Sequence, residues 1–171
     1  MKKSLVAMML SVCILVSFVH AQDEEPGDKE AKQKKLEAAF AKKMSGVVMT
    51  GVFTIKGQKL DNLREEKYTI TKVQKLKGEF WAFHSRLQYG DKDITLPIAV
   101  PMKWAGDTPM ISITNMAIPG LGAGFSARVL FHEDFYAGTW RHGENSGHMF
   151  GTISKIKKEP EAPGKKSDES N

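Results

Sequence analysis

The sequence has a single cysteine, Cys13, and this residue lies inside the one long apolar run of the chain. Removal of that run would leave no cysteine, which excludes disulfides, thiol nucleophiles and cysteine-ligated metal sites. The sequence also lacks a Gly-x-Ser-x-Gly turn, a phosphate-binding loop and a dinucleotide fingerprint. What remains is a globular composition, 41% hydrophobic and 26% charged over 171 residues. This length and composition predict one domain and identify no reaction.

The first 21 residues have the pattern of a signal peptide. Lys2 and Lys3 precede a 15-residue apolar run from Leu5 to Val19, and Ala21 supplies a small residue for cleavage. The run is shorter than the roughly 20 residues that span a bilayer as a helix. We therefore expect an exported protein, periplasmic or extracellular, without a transmembrane span after cleavage, and an uncleaved anchor is the alternative. A linker is predicted at 22–27.

Positive charge is in small excess and argues against a nucleic-acid partner. The net charge of +5 falls to +3 when the two lysines of the signal peptide are removed. The remaining lysines cluster at 29–43 and 155–166, where glutamates are mixed with them. A nucleic-acid-binding surface needs a basic face interleaved with aromatic residues, and the sequence does not have one.

Residues 28–45 predict a helix, and 157–171 predict a disordered tail. The helical segment is rich in Ala, Lys, Glu and Leu, and Leu36, Phe40 and Met44 recur every fourth residue as a thin apolar stripe. We expect this stripe to close one end of the core. The tail contains Pro, Gly and charged residues without apolar residues that could form a core.

Residues 46–156 have the period of two that is typical of β-strands. Eight strands are predicted, at 47–55, 67–76, 79–89, 93–104, 109–118, 123–133, 135–142 and 148–156. Pro97 and Pro101 cannot donate to a ladder, so their strand should be an edge or bend where its neighbours end. Short links favour an all-β, eight-stranded antiparallel up-and-down barrel with one N-terminal helix, and a β-sandwich is the alternative.

Five side chains are candidate ligand-binding residues, because aromatic rings and cations can line a pocket for an anionic or sugar-like ligand. They are Trp81, His84, Arg86, Arg128 and Trp140. His84, Arg86 and Arg128 would contribute only if the polar faces of their strands point inward. If those faces point outward, which alternation favours, the three residues are ordinary surface.

A second hypothesis is a metal site in the hairpin that follows Trp140. With a five-residue link at 143–147, His142 and His148 would face each other across the hairpin, with Glu144 nearby. Two imidazoles and a carboxylate can bind zinc or copper in an open site. The favoured interpretation is nevertheless a polar rim without a cofactor.

Four segments resemble a group of small exported planctomycetal proteins. They are KWAGDTP at 103–109, IPGLG at 118–122, FSARVL at 125–130 and YAGTWRHGENSGHMFG at 136–151. This resemblance implies no catalytic residues. In strand number and order the chain is also similar to the calycins, the lipocalin and avidin type of ligand-binding barrels. However, it has Gly51-Val52-Phe53 where lipocalins open with Gly-x-Trp.

These observations favour an exported, non-catalytic binding module for a small molecule or an envelope polymer. A metal-dependent enzyme that uses His142, Glu144 and His148 is one alternative. A structural envelope protein with a filled interior is another.

Overall fold

A computed structural model describes residues 26–157, which form one helix followed by eight strands. The predicted signal peptide and all but the first residue of the predicted tail lie outside these residues. The helix, α1, spans Pro26–Met44, so it begins two residues before its predicted start, inside the expected linker. The strands are β1 Val47–Phe53, β2 Arg64–Lys75, β3 Phe80–Tyr89, β4 Lys92–Ala105, β5 Thr108–Ile118, β6 Gly122–His132, β7 Phe135–His142 and β8 Asn145–Lys155.

The strands form a closed antiparallel barrel in sequence order, as the sequence predicts, and not a sandwich. Closure comes from pairing of the first and last strands, in which Val47 lies opposite Lys155 and Phe53 lies opposite Met149. Short hairpin links make sequential neighbours pair, and closure then removes both exposed sheet edges.

The two prolines of β4 determine where its pairing with β5 stops. The amide of Met102 donates to the carbonyl of Glu79 on the β3 side. Amides alternate in direction along a strand, so Pro97 and Pro101 occupy positions that would donate toward β5. β4 pairs with β3 along Phe80–Tyr89, but it pairs with β5 only through residues 102–105. Because the barrel is closed, β4 is not an edge strand as one reading of the prolines predicted, but its residues before Met102 have no partner in the β5 register.

Helix α1 closes one end of the barrel with the predicted apolar stripe. Met44 is fully buried and Phe40 is 6% exposed. The ring of Phe40 packs on four aromatic rings, with centroid distances of 5.5–6.4 Å, and these belong to Trp81, Phe83, Trp104 and Phe131. Ser45 ends the helix by donating its hydroxyl to the carbonyl of Ala41 and accepting the amide of Val73. We call this the helix end of the barrel.

Two glycines let an aromatic side chain cross the interior. Gly151 lies opposite both Gly51 and Tyr136 on neighbouring strands. A Cβ at Gly51 would lie 2.3 Å from the Tyr136 hydroxyl, and a Cβ at Gly151 would lie 2.8 Å from Cε1 of the same ring. Because glycine has no Cβ, these two positions leave the space that the Tyr136 ring occupies. Tyr136 is 1% exposed.

Candidate functional site

A groove of about 650 Å³ is lined by residues 54–60 and by residues of β5–β8, most of them on the outer face. This volume falls within the range of about 300–1,000 Å³ that is usual for ligand pockets. Its lining combines cationic, hydroxyl and aromatic side chains, which include Lys56, Ser126, Arg128, Thr139, Trp140, Arg141, Ser146 and His148.

The segment that covers the groove is held on the edge of β8. The amide of Thr54 donates to the carbonyl of His148 at 2.9 Å, and the amide of Lys56 donates to the carbonyl of Ser146 at 2.7 Å. The Thr54 hydroxyl also accepts the amide of His148. These bonds continue the β1–β8 ladder beyond Phe53 as far as Lys56, and they place Lys56 beside the groove.

Arg128 is fixed by neutral groups at a bulge in β5. The pairing of β5 with β6 shifts after Ile113, and Asn115 adopts a positive φ of 49° there. The Arg128 guanidinium donates to the carbonyls of Ile113 and Ala127 and to the Thr114 hydroxyl. Because none of these acceptors is charged, the guanidinium is held in place while its charge stays uncompensated.

Two further cations border the groove without an acidic partner. Arg141 donates Nε–H to the carbonyl of Gly143 at 3.2 Å and leaves the rest of its guanidinium free for other acceptors. Within residues 26–157, Lys56, Arg128 and Arg141 form no ion pair. Among the described residues that line the groove, none is Asp or Glu. The groove is therefore a cationic site, in which Lys56, Arg128 and Arg141 can donate hydrogen bonds to an anion.

The five predicted ligand-binding residues do not form one pocket. Trp81 and Trp140 lie on the inner side of the sheet and belong to the core or pack against it. His84 and Arg86 lie on the opposite side of β3 from Trp81. Arg86 is already bound to Asp93 through two hydrogen bonds of 2.6 and 2.7 Å. Arg86 and Arg128 are exposed, which is the outward orientation that alternation favours, and of the five residues only Arg128 and Trp140 line the groove.

The predicted metal geometry in the last hairpin is wrong. The link is two residues, 143–144, because His142 pairs with Asn145. His148 pairs with Thr139, an odd number of residues from His142, so the two histidines lie on opposite faces of the sheet. His142 instead stacks on Phe125 with ring centroids 3.8 Å apart. No group of three or more potential metal ligands occurs among residues 26–157.

The barrel interior contains a polar centre that the sequence analysis did not identify. Glu66, only 4% exposed, accepts hydrogen bonds of 2.8 Å from the hydroxyls of Tyr68 and Tyr136. Burial raises the pKa of the Glu66 carboxyl, and the two phenol hydrogen bonds counteract part of that rise. Burial and the neighbouring carboxylate also raise the pKa of Tyr136 well above its usual value.

A signal for this centre was present in the sequence. Glu66 and Tyr68 alternate in phase with Ile70, which places all three on the inner face. The predicted strand began at 67, one residue too late to include the glutamate. The groove gave a weaker signal, because Thr54 and Lys56 bond to the edge of β8 only after the barrel has closed.

Comparison with known proteins gave no match: no family model, no curated sequence and no solved structure is similar to this chain. Within residues 26–157, α1 is the only helix, and it is too polar to be a membrane span.

Proposed function

We propose that this protein is an exported, non-catalytic binding module that binds an anionic ligand in the groove between residues 54–60 and the outer face of β5–β8. The ligand is a small anion or a charged segment of an envelope polymer. The observation that carries the proposal is the set of three cations, Lys56, Arg128 and Arg141, around a groove without acidic side chains.

Preorganisation supports a binding role for these cations. Arg128 is held by three hydrogen bonds to neutral groups, so little side-chain freedom is lost when an anion binds. Three of its five N–H donors are used in these bonds, which leaves two for a phosphate or carboxylate oxygen. Charge-assisted hydrogen bonds of this kind contribute about 1.5–3 kcal/mol each.

The neighbouring polar groups would supply neutral contacts. Ser126, Thr139 and Ser146 lie in the same lining as the cations and can each donate or accept a hydrogen bond. A site with several hydroxyls and cations suits a ligand that combines negative charge with hydroxyl groups. An acidic polysaccharide segment and a polyol phosphate both have this chemistry.

Calorimetric titration with short-chain polyphosphate and with oligogalacturonate tests the proposal. We expect binding to at least one probe that weakens as salt concentration rises, and no binding to an uncharged oligoglucoside. Arg141→Glu should weaken binding by at least about tenfold, because one charge-assisted contact is lost and a repulsive one is added. Lys72→Glu makes the same change in net charge on the exposed face of β2 and should leave the affinity nearly unchanged.

The proposal fails if neither anion binds, or if the two variants weaken binding equally. Equal weakening would show that the ligand responds to net charge and not to the groove. Arg128→Gln is a second test of the groove, because it keeps hydrogen-bonding capacity at the bulge while it removes the charge.

A further inference from the structure

Next to the cationic groove, the outer face of the barrel carries an exposed apolar patch. It consists of Leu130, Phe135 and Phe150, which are 42%, 57% and 47% exposed, with Ala137 between them. Leu130 lies opposite Ala137 on β7, and Ala137 lies opposite Phe150 on β8. Large side chains exposed together on three adjacent strands mark an interaction surface more often than isolated exposed residues do.

The patch and the cations belong to successive rows of one face. The next row toward the groove is Arg128, Thr139 and His148, and the row after that contains Arg141. Alternate residues along a strand are about 7 Å apart, so apolar and cationic groups lie side by side. This face therefore changes from apolar to cationic along the strands, with its apolar half toward the helix end.

Charge identifies the kind of partner. The outward positions of β6–β8 include two arginines and two histidines, and no acidic residue. The nearest acids are confined to the hairpin turns at 133–134 and 144. A second copy of this face would bring like charges together. A surface with negative headgroups above an apolar layer would satisfy both halves at once.

We propose that the patch and the adjoining cations bind the surface of a bilayer that contains anionic lipids. Leu130, Phe135 and Phe150 enter the boundary between headgroups and acyl chains, while Arg128 and Arg141 contact lipid phosphates. This inference rests on the proposed function, because it makes a lipid phosphate the anion at the edge of the groove. It adds an apolar contribution that a soluble anion does not use.

Vesicle flotation tests this inference with two lipid compositions. We expect the protein to float with vesicles of equimolar phosphatidylcholine and phosphatidylglycerol, and not with phosphatidylcholine alone. Replacing Leu130, Phe135 and Phe150 together by Thr keeps residues that suit strands and removes apolar surface. This variant should bind the anionic vesicles at least about tenfold more weakly.

Phe80→Thr is the matched control, since Phe80 is 45% exposed but lies on β3. The inference is overturned if anionic vesicles are not bound, or if the patch variant binds them as well as the parent. The inference would also be overturned if analytical ultracentrifugation showed a dimer that the patch substitutions dissociate, because the patch would then join two copies of the chain. If polyphosphate binds but anionic vesicles do not, the groove proposal stands and only the proposed membrane binding is rejected.

Discussion

Removal of one hydroxyl from the barrel interior should lower stability by an amount that depends on pH. In Tyr136→Phe the ring remains between the strands, but Glu66 Oε1 loses its 2.8 Å hydrogen bond. At a pH above the raised pKa of Glu66, where its carboxyl is ionised, we expect a cost of about 1.5–3 kcal/mol, the range for a hydrogen bond to a charged acceptor. Below the ordinary Glu pKa of 4.5 the acceptor is neutral, and the cost should fall to about 0.5–1.5 kcal/mol.

The direction in which stability changes with pH follows from the raised pKa of Glu66. The pKa of Glu66 is raised in the folded protein, so the folded state binds the proton more tightly than the unfolded state. Its contribution to stability is present below the unfolded pKa of 4.5 and is lost as pH rises through the folded pKa. The Tyr136 hydroxyl opposes this loss by stabilising the carboxylate. Without it, the decline in stability with pH should be steeper.

Urea unfolding of the parent and variant proteins, at a pH below 4.5 and at a pH above the raised pKa of Glu66, measures this difference. Glu66→Gln supplies the matching background, because an amide at this position does not titrate and the cost of Tyr136→Phe should then be independent of pH. Tyr89→Phe removes a phenol for which no hydrogen bond to Glu66 is seen in the described chain, and it should show little pH dependence. An equal cost of Tyr136→Phe at both pH values in the parent would refute the reasoning.

Three further substitutions test the fold and the groove. Phe40→Ala should cost about 3–5 kcal/mol in chemical denaturation, because the ring packs on four others, and a loss below about 1 kcal/mol would show that the helix does not close the barrel. Gly151→Ala should lower the free energy of unfolding by about 1–3 kcal/mol or more, the cost of overpacking a core, because the new Cβ would lie 2.3 Å from the carbonyl oxygen of Thr50. Gly27→Ala is the control, because open space surrounds Gly27, and it should not destabilise the protein. Arg86→Ala breaks a solvent-exposed pair with Asp93, so we expect the urea midpoint and the polyphosphate affinity to be nearly unchanged. A weakened affinity would place Arg86 in the binding site.

The sequence predicted the barrel because local patterns determine it. Alternating side chains in β4 separate an inner row from an outer row, and short links such as 76–79 and 90–91 force neighbouring strands to pair in order. Closure then follows from the cost of leaving two long edges unpaired. The stripe that ends in Phe40 and Met44 predicted the helix and its buried face for the same reason, a regular period of apolar residues.

The site was harder to predict because it joins residues that are distant in sequence. His142 and His148 were expected to face each other across a five-residue link. The link has only two residues, so His148 lies on the opposite face of the sheet from His142. Glu66 and Tyr136 are 70 positions apart, and only the glycines between their strands let them meet. Single-residue register decides such contacts, and composition and periodicity do not specify register to one residue.

The sequence by itself determined that strands would alternate, pair in order and be closed at one end by a helix, because these features depend on near neighbours. Only the tertiary structure decided which cations share a surface. Arg128 and Arg141 become neighbours through the pairing of β6 with β7, and Lys56 joins them through the added bonds to β8. The charge of the groove is thus a property of closure and register, since side chains far apart along the chain interact only after the barrel has brought them together.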